Sequence, residues 1–161
     1  IGRASLYLNT SGSANNSIGS ASLYSNTTVS YNLALGNGSL NANTTGNHNI
    51  ALGHHAGRLL ADDSTGNTSP DYSIYIGAAT KSLANNSQNE IVIGYNTIGN
   101  GSNSVTLGND NIAKTILKGN VGIGTTNPTK KLDVIGDGSL VLIYLSAAHY
   151  LYLKVLPMVT F

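Results

Sequence analysis

A large aliphatic residue followed by glycine recurs at Ile1-Gly2, Ile18-Gly19, Leu35-Gly36 and Leu52-Gly53, three consecutive steps of 17 residues. The pair returns at Ile76-Gly77, Ile93-Gly94 and Leu107-Gly108, with steps of 24, 17 and 14. Two residues before the anchor another aliphatic stands in most repeats, as in Leu33, Ile50, Ile74, Ile91 and Val105, while Asn16 holds that place before Ile18. This alternation belongs to a short strand, and both members of each pair share one face. Five residues after the anchor a third aliphatic recurs at Leu6, Leu23, Leu40, Ile98 and Ile112, interrupted by Gly57 and Lys81. The pattern predicts three inward aliphatics and two short strands per repeat. Ala34 and Ala51 fall on the opposite face and are small enough for close contact with another copy of the chain.

Between these positions lie turn-forming stretches such as Asn9-Thr10-Ser11-Gly12 and Asn43-Thr44-Thr45-Gly46. Asn and Gly tolerate positive φ, and Asn, Ser and Thr bond their own backbone in turns. The glycine after each anchor marks a sharp corner. A fixed period of this kind is the signature of stacked repeats. The expected fold is therefore an all-β parallel roll, or solenoid, of 14- to 17-residue coils about 4.8 Å apart. Such a thin coil leaves a flank uncovered, which points to a cyclic homo-oligomer.

The boundaries expected are repeats over 1–113, with an insertion at 58–75, a connector over 114–138 and an apolar segment over 139–161. The insertion is the candidate contact loop, with Arg58, Asp62, Asp63, Asp71 and Tyr72 as its candidate residues, because loops carry recognition on rigid scaffolds. The structural anchors are Ile18, Gly19, Leu35, Gly36, Leu52, Gly53, Ile76, Gly77, Ile93, Gly94, Leu107 and Gly108. In the last segment Leu140 to Leu145 is continuously apolar, and 149–156 alternates. Alternation with Tyr and Val favours a strand over a membrane span, which His149, Lys154 and Pro157 would interrupt. An exposed strand there would pair with another chain.

Charge narrows the function classes. Only 9% of the 161 residues are charged and the net charge is +1. From Ile1 to Gly57 the only charged residue is Arg3. Lys114, Lys118, Lys130 and Lys131 form the one basic cluster, without interleaved aromatics, and read as a solvated neck and not as a nucleic-acid surface. There is no Cys, so neither disulfides nor thiolate metal sites brace the fold. His54-His55 with Asp62 and Asp63 is the nearest thing to a metal cluster, but neighbours on a strand diverge and the surface-loop reading is favoured. Gly119, Gly122 and Gly124 lack the spacing and the Lys-Ser or Lys-Thr pair of a phosphate loop. The Asn-x-Ser/Thr acceptors, Asn9, Asn26 and Asn43 among them, follow from composition. No paired-carboxylate, Ser–His–Asp or Cys–His arrangement is discernible. The expectation is a protein without enzymatic activity, cofactor or metal. The chain opens at Ile1 without Met or a basic leader, which reads as a fragment or mature product.

The stretch Asn103-Ser104-Val105-Thr106-Leu107-Gly108 resembles the head repeats of trimeric autotransporter adhesins. The 17-residue unit ending Asn43-Thr44-Thr45-Gly46-Asn47-His48-Asn49-Ile50-Ala51-Leu52-Gly53 is similar to repeats of phage tail fibres and Bacteroidetes surface proteins. Ile116 to Pro128, followed by Lys131-Leu132-Asp133-Val134, resembles the connector that ends the roll in such fibres. The likeness covers roughly residues 1 to 135. It implies a left-handed roll, a homotrimer, and a tail-fibre or cell-surface location. It also implies a receptor that is a host glycan or protein, with other fibre or baseplate proteins as neighbours. The segment after Gly138 departs from the family, since it offers neither a coiled coil nor a chaperone domain. Two other readings compete with the fibre segment. One is a self-polymerising extracellular filament joined by a donated C-terminal strand. The other is a glycan depolymerase fragment.

Overall fold

The computed structural model describes residues 1–136, all of it strand, turn and irregular chain without a helix. The apolar segment 139–161, with its expected strand, its rival membrane span and its role in filament joining, lies outside the described residues. The chain forms two compact units, Ile1–Lys114 and Thr115–Phe161.

In the first unit six strands form one parallel sheet in sequence order. They are β1 (Asn16–Ile18), β2 (Leu33–Leu35), β3 (Ile50–Leu52), β4 (Ile74–Ile76), β5 (Glu90–Ile93) and β6 (Ser104–Leu107). The register follows the sequence period: Leu33 faces Ile50, Ile50 faces Ile74 and Ile74 faces Ile91. The sheet is thus built by the recurrence itself, each repeat laying one strand beside the last.

The expected direction of the aliphatic pairs is reversed. The middle residue of each strand is the buried one: Ala34, Ala51, Tyr75 and Val92 have no exposure at all. Leu33, Leu35, Ile50, Leu52, Ile74 and Ile76 flank them on the other face and are only half-buried. Period-2 alternation correctly groups side chains by face, but it does not say which face turns inward. The interior is narrow. It already holds Leu23 and Leu40, both fully buried, with Leu6 against them. Only a small residue fits opposite them, so alanine and serine go in and the aliphatics go out. Ile98 and Ile112, expected inside, are 41% and 55% exposed.

Each repeat also has one strand, not two. On the far side Leu6, Leu23 and Leu40 adopt φ of 53°, 48° and 45°. Left-handed backbone cannot continue a strand, and it is uncommon for a bulky residue. The amides there still bond to the next repeat, Leu23 to the Ser39 carbonyl and Leu40 to the Ala56 carbonyl, both at 3.0 Å.

Two side-chain columns reinforce the stacking. Asn15 Oδ1 accepts the Asn32 amide, Asn32 Oδ1 accepts the Asn49 amide, and Asn49 Oδ1 accepts the Ser73 amide, at 3.0, 3.0 and 2.9 Å. Asn43 turns inward at its corner, where its Nδ2 donates to the Gly46 carbonyl and its Oδ1 accepts the Gly46 amide. Asn32, Asn43 and Asn49 are buried because they replace backbone partners that the turns remove.

The corner glycines form a third column. Gly19, Gly36, Gly53, Gly77 and Gly94 have φ between 121° and 137°. A Cβ on Gly53 would lie 2.8 Å from the carbonyl carbon of Gly77. Backbone strain and contact both demand glycine there.

One repeat departs from the rest in a compensated way. Gly57 stands where Leu40 stands one repeat earlier, and Tyr75 stands where Ala51 does. A Cβ on Gly57 would meet the Tyr75 ring at 2.7 Å. The lost leucine makes room for the ring. The Tyr75 hydroxyl donates to Glu90 Oε2 at 3.3 Å, and Ser82 Oγ donates to the same oxygen at 2.6 Å. The Gly101 amide donates to Glu90 Oε1 at 2.8 Å. Burial, and then the Glu90 carboxylate, push the Tyr75 phenol up to about 12.

In the second unit β7 (Val121–Ile123) pairs in parallel with β8 (Leu132–Val134). The Thr129 amide and hydroxyl donate to Asp133 Oδ2, and these bonds hold the Asp133 carboxyl below its ordinary value.

Two outcomes test this packing. Gly53→Ala is expected to lower stability by about 2 kcal/mol or more in urea unfolding. Gly119→Ala, where a Cβ would meet nothing within 4 Å, leaves the midpoint unchanged. Gly57→Leu and Tyr75→Ala are each destabilising. Together they should show a favourable coupling of about 1–3 kcal/mol in a double-mutant cycle, because the leucine refills the space that the ring vacates.

Candidate interaction surface

The outward face of the six-stranded sheet is a continuous aliphatic stripe. It runs from Ile18 through Leu33 and Leu35, Ile50 and Leu52, Ile74 and Ile76, Ile91 and Ile93, to Val105 and Leu107. Exposure is 49% at Ile18, 63% at Val105 and 59% at Leu107, with the central members half-buried. Single exposed aliphatics are ordinary, whereas a contiguous stripe marks a surface that meets something. The anchors named from sequence, Ile18, Leu35, Leu52, Ile76, Ile93 and Leu107, all lie on it. Their glycines Gly19, Gly36, Gly53, Gly77, Gly94 and Gly108 form the corner beside it.

The candidate contact loop is shorter than expected. Only residues 58–66 leave the repeat. Asn67 is fully buried, and Asp71, Tyr72 and Ser73 occupy regular repeat positions. Within the excursion Leu59 and Gly66 form an antiparallel bridge, and the Leu60 amide donates to the Thr65 carbonyl at 2.9 Å. Its tip is tied down: Asp63 Oδ1 lies 2.5 Å from the ammonium of Lys81, which also donates to Asn96 Oδ1 at 2.7 Å. Lys81 therefore interrupts the aliphatic column in order to anchor the excursion. Arg58 contacts His55 Nε2 at 2.9 Å.

The possible metal ligands do not converge. His54 and His55 lie in the turn after β3, not on a strand, and their rings stack with centroids 3.7 Å apart. Burial, Arg58 and His54 lower the His55 pKa. Asp63 is engaged by Lys81, and Asp62 is turned to Thr65 and Ser64. Among the described residues no three His, Cys, Asp or Glu side chains could share a metal ion. An open hollow of about 290 Å³ at the last repeat is walled by Asn96, Ile98, Thr106, Asn109 and Asp110. It brings one carboxylate among amides and offers no pair for acid–base work.

Two features went unread in the sequence. One is the buried Glu90 cluster. Its signal is positional, since Glu90 follows Asn15, Asn32, Asn49 and Ser73 in the same column, and its amide donates to Ser73 Oγ. The other is an aromatic ladder. Tyr31 and His48 stack at 4.8 Å, and His48 and Tyr72 at 4.9 Å. Tyr72, a candidate residue of the contact loop, is instead the third rung of this ladder. A second pair, Tyr7 and Tyr24, stacks at 5.2 Å. Aromatics recurring at the repeat interval would have disclosed both.

No protein-family model, curated protein or solved structure matches the chain. Among the described residues no helix is long and apolar enough to cross a membrane.

The turn at Asp62 carries a pH signature. The Thr65 hydroxyl, then the Thr65 and Ser64 amides, donate to its carboxylate and lower its pKa from 3.8 to about 2. A depressed carboxylate stabilises the turn above the unfolded value, and that contribution fades as pH falls through the folded one. Carbon-detected NMR titration should therefore place the Asp62 midpoint near 2, with the Thr65 amide shift moving in step.

Proposed function

We propose that the chain is a structural segment of a phage tail fibre or a bacterial surface adhesin. In this reading it winds as a left-handed parallel β-roll and assembles as a homotrimer that presents, or contributes to, host-receptor binding. The observation that carries the reading is the outward aliphatic stripe, which among the described surfaces asks for a partner of its own kind. Identical stripes on identical chains are covered together when the copies close around a rotation axis. The resemblance supplies the choice of three copies and the left-handed winding.

The rest of the surface suits this role. Among the described residues of the repeats it is amide-rich and sparsely charged, which favours display over nucleic-acid binding or glycan hydrolysis. The chain acts mechanically: three parallel rolls resist bending, and three copies of any receptor contact raise avidity. Its partners are two sister chains, a host-surface glycan or protein, and adjoining fibre or baseplate proteins.

Light scattering in solution tests the assembly. The expected mass is that of three 16.6 kDa chains. Leu52→Asp places a charge in the centre of the stripe and should give monomers, whereas Thr28→Asp, at an exposed turn, keeps the mass unchanged. A monomeric mass for the unaltered chain defeats the proposal.

A further inference from the structure

The aromatic ladder belongs to a column of left-handed residues: Ala14, Tyr31, His48, Tyr72, Asn89 and Asn103, with φ between 50° and 62°. Each stands one repeat beyond the last. The Tyr31 amide donates to the Ser13 carbonyl, the His48 amide to the Ser30 carbonyl and the Tyr72 amide to the Asn47 carbonyl. The three rings stack with interplanar angles of 14° and 12°. Above Tyr31 the column holds only the methyl of Ala14. One face of the Tyr31 ring is covered by His48, and among the described residues no second ring stacks on the other. Tyr31 is 59% exposed.

The residues that precede Ala14 and Tyr31 in this column, Ser13 and Ser30, are polar and uncharged. Ser13 Oγ and Ser30 Oγ lie 3.4 Å apart, and Ser30 Oγ also accepts the Ser13 amide at 3.0 Å. The only charged side chain in the first 57 residues is Arg3.

We propose that the free face of Tyr31, over Ala14, is a seat for one neutral pyranose ring of a surface glycan. A pyranose has an apolar face of C–H groups to lay on the phenol ring and an equatorial rim of hydroxyls for Ser13 and Ser30. The seat discriminates by what it lacks. A nucleobase would stack as well, but nucleic-acid sites add basic groups for the backbone, and none stands here. An apolar peptide side chain would cover the serine hydroxyls without bonding them, which costs free energy. A single ring seat is weak alone, and the copies of an oligomer multiply it. This deepens the display reading above and rests on it for the source of the glycan.

The test is saturation-transfer NMR on the full chain with methyl glycosides of glucose, galactose, mannose and N-acetylglucosamine at millimolar concentration. At least one glycoside should receive transfer, strongest on the protons of its apolar face. Tyr31→Ala and Ala14→Tyr should each reduce that transfer to background, the first by removing the platform and the second by filling the space with another rung. Ala14 already has φ of 56°, close to the 62° of Tyr31, so the added ring extends the ladder without new backbone strain. Tyr24→Ala, in the other stack, should leave the transfer intact, and circular dichroism verifies the fold of each variant. Absence of transfer from all four glycosides, or transfer that survives in a folded Tyr31→Ala protein, overturns the seat. A trimer that binds no glycoside removes this inference and spares the fibre reading. A monomer that binds one does the reverse.

Discussion

The structure of the first unit depends on one requirement: each repeat must satisfy its backbone through its neighbours along the stack. The Gly36 amide bonds to Ile18, Gly53 to Leu35, Gly77 to Leu52 and Gly94 to Ile76, all at 2.8 or 2.9 Å. A repeat by itself has few internal partners. Sixteen non-glycine residues lie in the left-handed region, and the eleven that are neither Asn nor Asp add about 1–2 kcal/mol of strain each. Only repetition offsets that strain, since every added repeat contributes a full set of bonds while repeating the same local cost. The corner glycines, the asparagine column and the narrow interior are consequences of holding successive backbones this close.

The narrow interior decides the chemistry of the exterior. Because leucine from one side and alanine from the other fill the inside, the larger aliphatics of each strand are left outside, in line, at the spacing of the strands. The exposed stripe is thus no accident of composition but the remainder of a packing problem. The same closeness brings aromatic side chains on successive repeats into stacking distance, so any ring recurring at the period becomes part of a ladder. The proposals give the two surfaces different partners, sister chains for the stripe and a glycan for the ladder.

Much of this could be read from the residues. The 17-residue glycine rhythm gave the strand positions, and the strand register follows it pair by pair. The insertion was visible as the 24-residue step from Gly53 to Gly77. Other features were hidden for physical reasons. Alternation at Leu33-Ala34-Leu35 separates two faces without orienting them, because orientation depends on how much room the opposite wall leaves. The far side could not be recognised as left-handed, since leucine is a poor marker for that conformation. Glycine at position 57 in place of leucine reads as a break in the column, and only the Tyr75 ring in the freed space gives it a reason. The limits of the excursion were obscured because Asp71 and Tyr72 look like loop residues while standing in regular columns.

The nine residues 58–66 depart from the repeat after Gly57 and return before Asn67, and the strands on either side keep their register, Ile50 against Ile74 and Leu52 against Ile76. Axial length and lateral ornament are therefore set by separate stretches of the chain. An appendage at such a corner can be lengthened, shortened or exchanged without altering the rise of the strands beside it.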